Sequence, residues 1–224
     1  MSVLEYTVIP EIITPMKASE ILGKVKYHIN LFRPIPATKL KMNRPYQILD
    51  KKDLRKCFPE LLTLAESLHT TVEKFAGIPL ELMDDEIRSI RLHRYVGTDE
   101  GLLWHIDGAY YTALLTLENS NHSGFEIFTL KQSRFLAFLV YPLYFWQSFF
   151  SFFNPKRVVV NSGDLVIMYG GKVVHRTFND VAQGERIILA VSFNPVSYNE
   201  RSLRSFLLRW LNVTVRLVSK NRTD

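Results

Sequence analysis

Residues 104–117 read WHIDGAYYTALLTL. From Tyr111 onward the run is aromatic, β-branched or aliphatic, with no Gly or Pro, and reads as a strand. Just ahead of it, His105 and Asp107 stand two residues apart. On an extended chain both side chains leave the same face. The stretch GDLVIMYGGKVVHRTF (163–178) adds His175, and RIILAVSF (186–193) opens on Arg186.

Two histidines and one carboxylate can hold a metal on one face and leave its remaining positions open, the donor set of non-heme Fe(II) centres. Arg186 carries a planar fork suited to a bidentate grip on a carboxylate. Arg176 is a competing guanidinium. It follows His175 directly, so on a strand it points to the opposite face, and Arg186 is preferred.

The strand pattern extends both ways from this stretch. IRLHRYV (90–96), GFEIFTL (124–130), RVVV (157–160), DLVIM (164–168) and VVHRTF (173–178) are short and separated by Gly, Asn, Asp and Ser. Upstream the texture is helical. FPELLTLAESLHTTVEKFAG (58–77) places Leu61, Ala65, Leu68, Val72 and Phe75 at helical spacing, with Pro59 near its start and Gly77 at its end. A second helix is expected around ASEILGKVKYHI (18–29), and LFRPIPATKLKMNRP (31–45) reads as loop. Helices followed by many short strands predict a mainly β domain, a sandwich or barrel with helical support. One domain is expected: helical support over 1–87, a β core over 88–198 with an aromatic insertion at 131–157, and a basic tail over 199–224.

The ordered set of Tyr95, His105-x-Asp107, the strand beginning at Tyr111, Gly124 in GFE, Gly163-Asp164-Leu165, His175 and Arg186 resembles the 2-oxoglutarate- and Fe(II)-dependent dioxygenase superfamily, in its prolyl-4-hydroxylase-like branch. The resemblance covers about residues 88–195. It implies a double-stranded β-helix, or jelly roll. It implies Fe(II) on His105, Asp107 and His175, with 2-oxoglutarate and O2 as co-substrates. It further implies Arg186 on the distal carboxylate of 2-oxoglutarate, with Tyr95, Thr116 and Ser192 lining that pocket. The carboxylate at Asp107, where halogenating relatives carry a small residue, points to hydroxylation or a related desaturation or ring closure. The substrate class implied is a small organic molecule with an unactivated C–H bond, apolar ones such as a lipid or terpenoid included. A peptidyl hydroxylase and a jelly-roll binding protein without turnover are the alternatives. The nucleic-acid repair branch fits poorly, because the spacing around Asn179 and Asp180 differs and its second arginine is missing.

Arg91 and His93 alternate with Tyr95 on one strand and are candidates to recognise a polar or anionic group on the substrate, and Tyr110 beside the H-x-D pair is a further substrate-facing candidate. For Arg91 and His93 a structural ion pair and a packed imidazole are equally good readings. His28, His69 and His122 have no partner pattern and read as structural or solvated.

The net charge is +6, from 28 basic and 22 acidic residues. Six basic residues and one acidic residue lie between Arg201 and Asp224, so the tail carries most of the excess. The body is therefore not a basic nucleic-acid binder, and no nucleic-acid partner is expected. Cys57 is the single cysteine, and the N-terminus lacks the basic and apolar regions of a signal peptide. Together these predict a cytoplasmic protein.

FLAFLVYPLYFWQSFFSFF (135–153) has no charge and ten aromatic residues, and it is long enough to span a bilayer. It lies between Asp107 and His175, so a single crossing would divide the metal site between two compartments. It is instead expected to form a strand over 135–140 and a short helix from Pro142. Core burial is its default role; a lid over an apolar substrate, a dimer face or an interfacial patch are the others. Residues 203–218 fit an amphipathic helix with a basic face. With 135–153 they would make a peripheral membrane contact.

Overall fold

The computed structural model describes residues 4–36, 44–97, 100–140 and 147–198. The predicted helix at 203–218 and the one from Pro142 fall wholly or partly outside these residues. The described elements are β1 (Tyr6–Ile9), α1 (Pro15–Tyr27), β2 (Arg33–Ile35), β3 (Tyr46–Asp50), α2 (Lys51–Cys57), α3 (Pro59–Ser67), α4 (His69–Ala76), β4 (Leu80–Leu82) and β5 (Ile90–Val96). They continue as β6 (Tyr111–Asn119), β7 (Gly124–Ile127), α5 (Leu130–Val140), a 3-10 segment (Gln147–Phe153), β8 (Lys156–Val159), β9 (Leu165–Met168), β10 (His175–Phe178) and β11 (Glu185–Pro195).

Two antiparallel sheets form the core. The major sheet runs β1-β9-β6-β11-β5-β3-β2, with β4 pairing the end of β11, and the minor sheet runs β10-β7-β8. Between them packs an apolar layer that includes Tyr46, Ile48, Tyr95, Leu114, Val166 and Ile188 from the major sheet and Phe125, Ile127 and Val158 from the minor one. Helices α1 to α4 cover the outer face of the major sheet through Ile21, Val25, Leu61, Ala65 and Val72, against Leu115, Leu189 and Val191. Both faces of the major sheet are thus buried, which is why β11 reads as a continuous apolar run rather than an alternating one.

The helices begin where the sequence supplies a cap. Thr14 accepts a hydrogen bond from the Lys17 N–H, with Pro15 in the first turn of α1, and the Asp50 carboxylate caps α2. The predicted helix at 58–77 is two helices. Ser67 Oγ donates to the Leu64 carbonyl and Leu68 N–H to the Ala65 carbonyl, so the last turn tightens and a new helix starts at His69. Leu61, Ala65, Leu68 and Val72 are buried as the spacing predicts, and Phe75 is half-buried against the same core.

Three further expectations change. The N-terminal 87 residues are not only helical: β1 to β4 all join the major sheet. The loop read at 31–45 contains β2, where Pro34 is tolerated because β2 is an edge strand. The strand expected at 135–140 is the second half of α5. Ser133, Leu136 and Val140 are its buried positions, a spacing of three and seven residues that belongs to a helix.

The described part of the aromatic insertion lies between β7 and β8 and folds mostly inward. Leu136, Val140 and Phe150 cluster with Trp104, Phe128 and Val174. Trp104 stacks on Phe128 at 4.6 Å. Core burial, the default reading, holds for these side chains, while Phe135 (61 % exposed) and Phe152 (79 %) remain at the surface. Among the described residues no helix is long and apolar enough to cross a membrane.

Candidate active site

The two sheets meet at the candidate metal ligands. His175 is the first residue of β10, and His105 joins its free edge by two backbone hydrogen bonds, His105 N–H to the His175 carbonyl at 2.9 Å and the reverse at 3.0 Å. Asp107 is fixed by its own N–H, which donates to the Gly170 carbonyl at 2.9 Å. The two-residue spacing then does what extended geometry requires, and the donor atoms of His105, Asp107 and His175 lie within 4.8 Å of one another.

Their tautomers and orientations are set from behind. His105 Nδ1–H donates to the Leu103 carbonyl (2.6 Å) and His175 Nδ1–H to the Val173 carbonyl (2.9 Å). Each Nε2 lone pair is thereby turned toward Asp107 Oδ1, at 3.4 and 3.6 Å. Those separations are long for hydrogen bonds. They approach the roughly 3 Å between adjacent donors that share one ion at metal-ligand distances of about 2.1 Å.

Burial pushes the His175 imidazole down to about 4, and His105 adds to the effect against the opposing pull of Asp107. His175 is therefore neutral at pH 7, the state a metal needs. For Asp107, burial alone would raise the carboxyl. His175, His105 and a 2.6 Å hydrogen bond from Thr112 Oγ1 to Oδ2 outweigh burial and hold it well below the usual carboxylate range. A Cβ at position 170 would stand 2.1 Å from Asp107 Oδ2, so only glycine fits there.

Arg186 lies deep between the sheets, fully buried, with Tyr95 opposite it on β5. Nη1 donates to the Gly124 carbonyl at 3.2 Å and the guanidinium lies 4.2 Å over the Phe125 ring. Among the described residues Nε and Nη2 have no hydrogen-bond partner. Burial pushes its pKa down to about 10, opposed by Tyr95, so it is still cationic at pH 7. A buried guanidinium with two unused donors is costly unless a ligand completes it. A carboxylate does so with two parallel bonds.

Two more orphaned groups occupy the same wall. Thr116 Oγ1 and His93 Nε2 are buried without partners, and Thr116 and His93 both stand opposite Ile188 on β11. His93 Nδ1 meets the Tyr95 hydroxyl at 2.6 Å. Burial first, then Arg91, keeps His93 well below the ordinary imidazole range, so it is neutral.

The remaining candidates divide. Ser192 shares the face of Arg186, but six residues along an extended strand is about 20 Å, which puts it at the Asp107 end, opposite Thr112. The Tyr110 ring packs with Tyr169 and Tyr198 and carries Lys172 over its face, in a tyrosine cluster of its own. Arg176 is held by Glu126 and lies over Trp104, pointing away from His175 as its position requires. Asn179 bonds the Gly97 and Glu100 carbonyls and Asp180 pairs with Arg157, so both are structural. His69 bonds the Leu80 carbonyl and stacks on Phe193.

Thr112, Gly170 and Ser133 were not singled out from the sequence. Thr112 shares the inward face of β6 with Leu114 and Thr116, which is a usable signal. Ser133 on α5 accepts from the Val174 N–H at 3.0 Å, so the insertion supports the residue next to His175. Nothing local in the sequence shows that contact.

No family model and no curated protein sequence matches the chain. Solved structures do. The non-heme 2-oxoglutarate-dependent carbocyclase SnoK from nogalamycin biosynthesis aligns with a TM-score of 0.63 at 16 % identity, over 92 % of this chain and 87 % of that one. HygX from Streptomyces hygroscopicus, solved with nickel and 2-oxoglutarate bound, gives 0.58 at 16 % identity, over 88 % and 85 %. A Pseudomonas putida prolyl-4-hydroxylase gives 0.54 at 16 % identity, over 85 % and 92 %. The fold is therefore the jelly roll of the non-heme iron, 2-oxoglutarate-dependent oxygenases, with a prolyl hydroxylase among its neighbours, as the ordered residues from Tyr95 to Arg186 had implied.

Proposed function

We propose that this chain is an Fe(II)- and 2-oxoglutarate-dependent oxygenase that oxidises, by hydroxylation or a related C–H oxidation, a small organic substrate. The observation that carries the reading is the pairing of a complete donor set, three ligand atoms within 4.8 Å, with the two unused donors of a fully buried Arg186. A binding protein without turnover has no reason to keep both costs. Neighbours of the same fold act on small molecules in nogalamycin biosynthesis and, in one structure, hold hygromycin B.

His105, Asp107 and His175 would hold the iron, with both imidazoles oriented by backbone carbonyls. The bound Fe(II), with 2-oxoglutarate and O2, supplies oxidation of an unactivated C–H bond coupled to release of succinate and CO2. The chain's own part is positioning. Arg186 grips the distal carboxylate, and Thr116 and His93 offer a hydroxyl and a ring nitrogen to the same co-substrate or to water. The apolar layer of Ile188, Leu114 and Val166 excludes bulk solvent from that end.

The reading is tested by adding Fe(II) and 2-oxoglutarate without oxygen. A visible charge-transfer band is expected from wild type and not from His105→Ala. A wild-type spectrum equal to that of the variant would remove the assignment.

A further inference from the structure

The inner wall carries one cation that the proposed chemistry leaves unused. Arg91 lies on β5 in the same alternation as His93 and Tyr95, opposite Ala190 of β11, on the face that lines the site. Among the described residues it makes no ion pair, and its Nε is buried with no hydrogen-bond partner. Its charge reaches the pocket, since it is among the influences on both buried His93 and Tyr95, together with Asp107 and Arg186.

The neighbouring acid does not answer it. Asp50 stands opposite Arg91 on β3, but it is fully buried and already engaged. Its Oδ2 accepts from Arg33 Nη2 at 2.7 Å and its Oδ1 from the Lys52 and Asp53 N–H groups. Arg88, upstream, is closed off differently, by its pair with Asp85.

Position separates Arg91 from the co-substrate. Arg186 and Tyr95 form one cross-strand pair, and Ala190 and Arg91 form another four residues along, about 14 Å away. That exceeds the length of 2-oxoglutarate. Charge gives the same division. Fe(II) with Asp107 leaves one positive charge, 2-oxoglutarate brings two negative ones, and Arg186 cancels the remainder. Arg91 is then a surplus cation, half-buried, with its Nε enclosed and without a hydrogen-bond partner among the described residues.

We propose that Arg91 is a specificity-determining residue that binds an anionic group of the substrate, a carboxylate or phosphate monoester, an inference that rests on the oxygenase reading. The substrate is then a small molecule with an acidic group remote from the oxidised carbon. Its planar fork meets either oxyanion.

The test titrates matched probes into anaerobic protein with Fe(II) and saturating 2-oxoglutarate. Binding is read by calorimetry and the charge-transfer band is recorded in the same sample. The probes are 4-phenylbutyrate against 4-phenylbutyramide, and phenyl phosphate against phenol. Wild type is expected to prefer at least one acid over its neutral partner by 10-fold or more. Arg91→Gln should lose that preference, Arg91→Lys should keep part of it, and both should keep the band and the thermal midpoint. The carboxylate and phosphate arms tell the two headgroups apart. A normal band without an acid preference, or a preference that survives Arg91→Gln, overturns the Arg91 proposal and leaves the oxygenase reading. Acid binding that abolishes the band also overturns it, because the acid has displaced 2-oxoglutarate at Arg186. An Arg91-dependent acid preference without any band upholds the anion site and removes the oxygenase reading. Absence of both removes both.

Discussion

The two faces of β11 are buried alike and built for opposite purposes. Ile187, Leu189, Val191 and Phe193 point to the helices and pack into their apolar layer, with His69 stacked on Phe193. Arg186, Ile188, Ala190 and Ser192 point between the sheets, and the wall they share with β5 and β6 holds the unpartnered atoms of Arg186, His93 and Thr116. One face lowers the free energy of folding. The other raises it and is kept for what it binds. Substitutions on the first should cost stability and spare ligand binding, while substitutions on the second should do the reverse.

The largest effect is expected on the helix side. Leu189→Ala removes a fully buried side chain from the layer shared with the helices and should destabilise by about 2–5 kcal/mol in denaturant unfolding. The charge-transfer band per folded molecule should be unchanged. Loss of the band in protein that is still folded would mean that the outer face also sets the site geometry, and the contrast between the faces would fail.

Arg186→Met is the converse. It removes two buried, unused donors and keeps much of the volume, so apo stability should hold or rise. Affinity for 2-oxoglutarate should fall by about 3 kcal/mol, on the order of 100-fold, as one partner of a buried charge pair is lost. Anaerobic titration of the band measures it. A variant that unfolds easily while keeping co-substrate affinity would reassign Arg186 to the structural side.

The same contrast explains what the sequence made legible. The strands from β5 onward announce themselves by β-branched runs between turn residues, the shared face of His105 and Asp107 follows from their spacing, and the full set with His175 and Arg186 was legible through its ordered resemblance to a known superfamily. The misreadings lie where composition and period disagree. At 135–140 the aromatic and β-branched content suggested a strand, yet the burial of Ser133, Leu136 and Val140 is helical, because the segment packs as one more helix behind Trp104. β1, β2 and β4 are three or four residues long, too short to show a period, and exist because a sheet edge or the end of β11 pairs with them. Gly170 and Ser133 were illegible for another reason. Their roles depend on contacts with Asp107 and Val174 made only after the sheets have met.

Thr116→Val gives the smallest and most discriminating effect. The substitution preserves shape and removes one hydroxyl whose oxygen is buried and unpartnered, while the backbone of residue 116 keeps its bonds to Gly163 and Asp164. In the absence of co-substrate the variant should be more stable by about 1 kcal/mol, because an unsatisfied polar group has been replaced by an apolar one at a strand position that favours valine. In the presence of Fe(II) and 2-oxoglutarate the sign should weaken or reverse. Ligand that binds only the folded state stabilises it according to its affinity, and a hydroxyl that touches 2-oxoglutarate contributes to that affinity. Comparing unfolding midpoints of the two proteins with and without ligand therefore separates two roles that a single measurement confuses. An advantage for valine of equal size under both conditions would show that Thr116 does not contact the co-substrate, and would leave Arg186 and His93 as the members of the inner wall assigned to it.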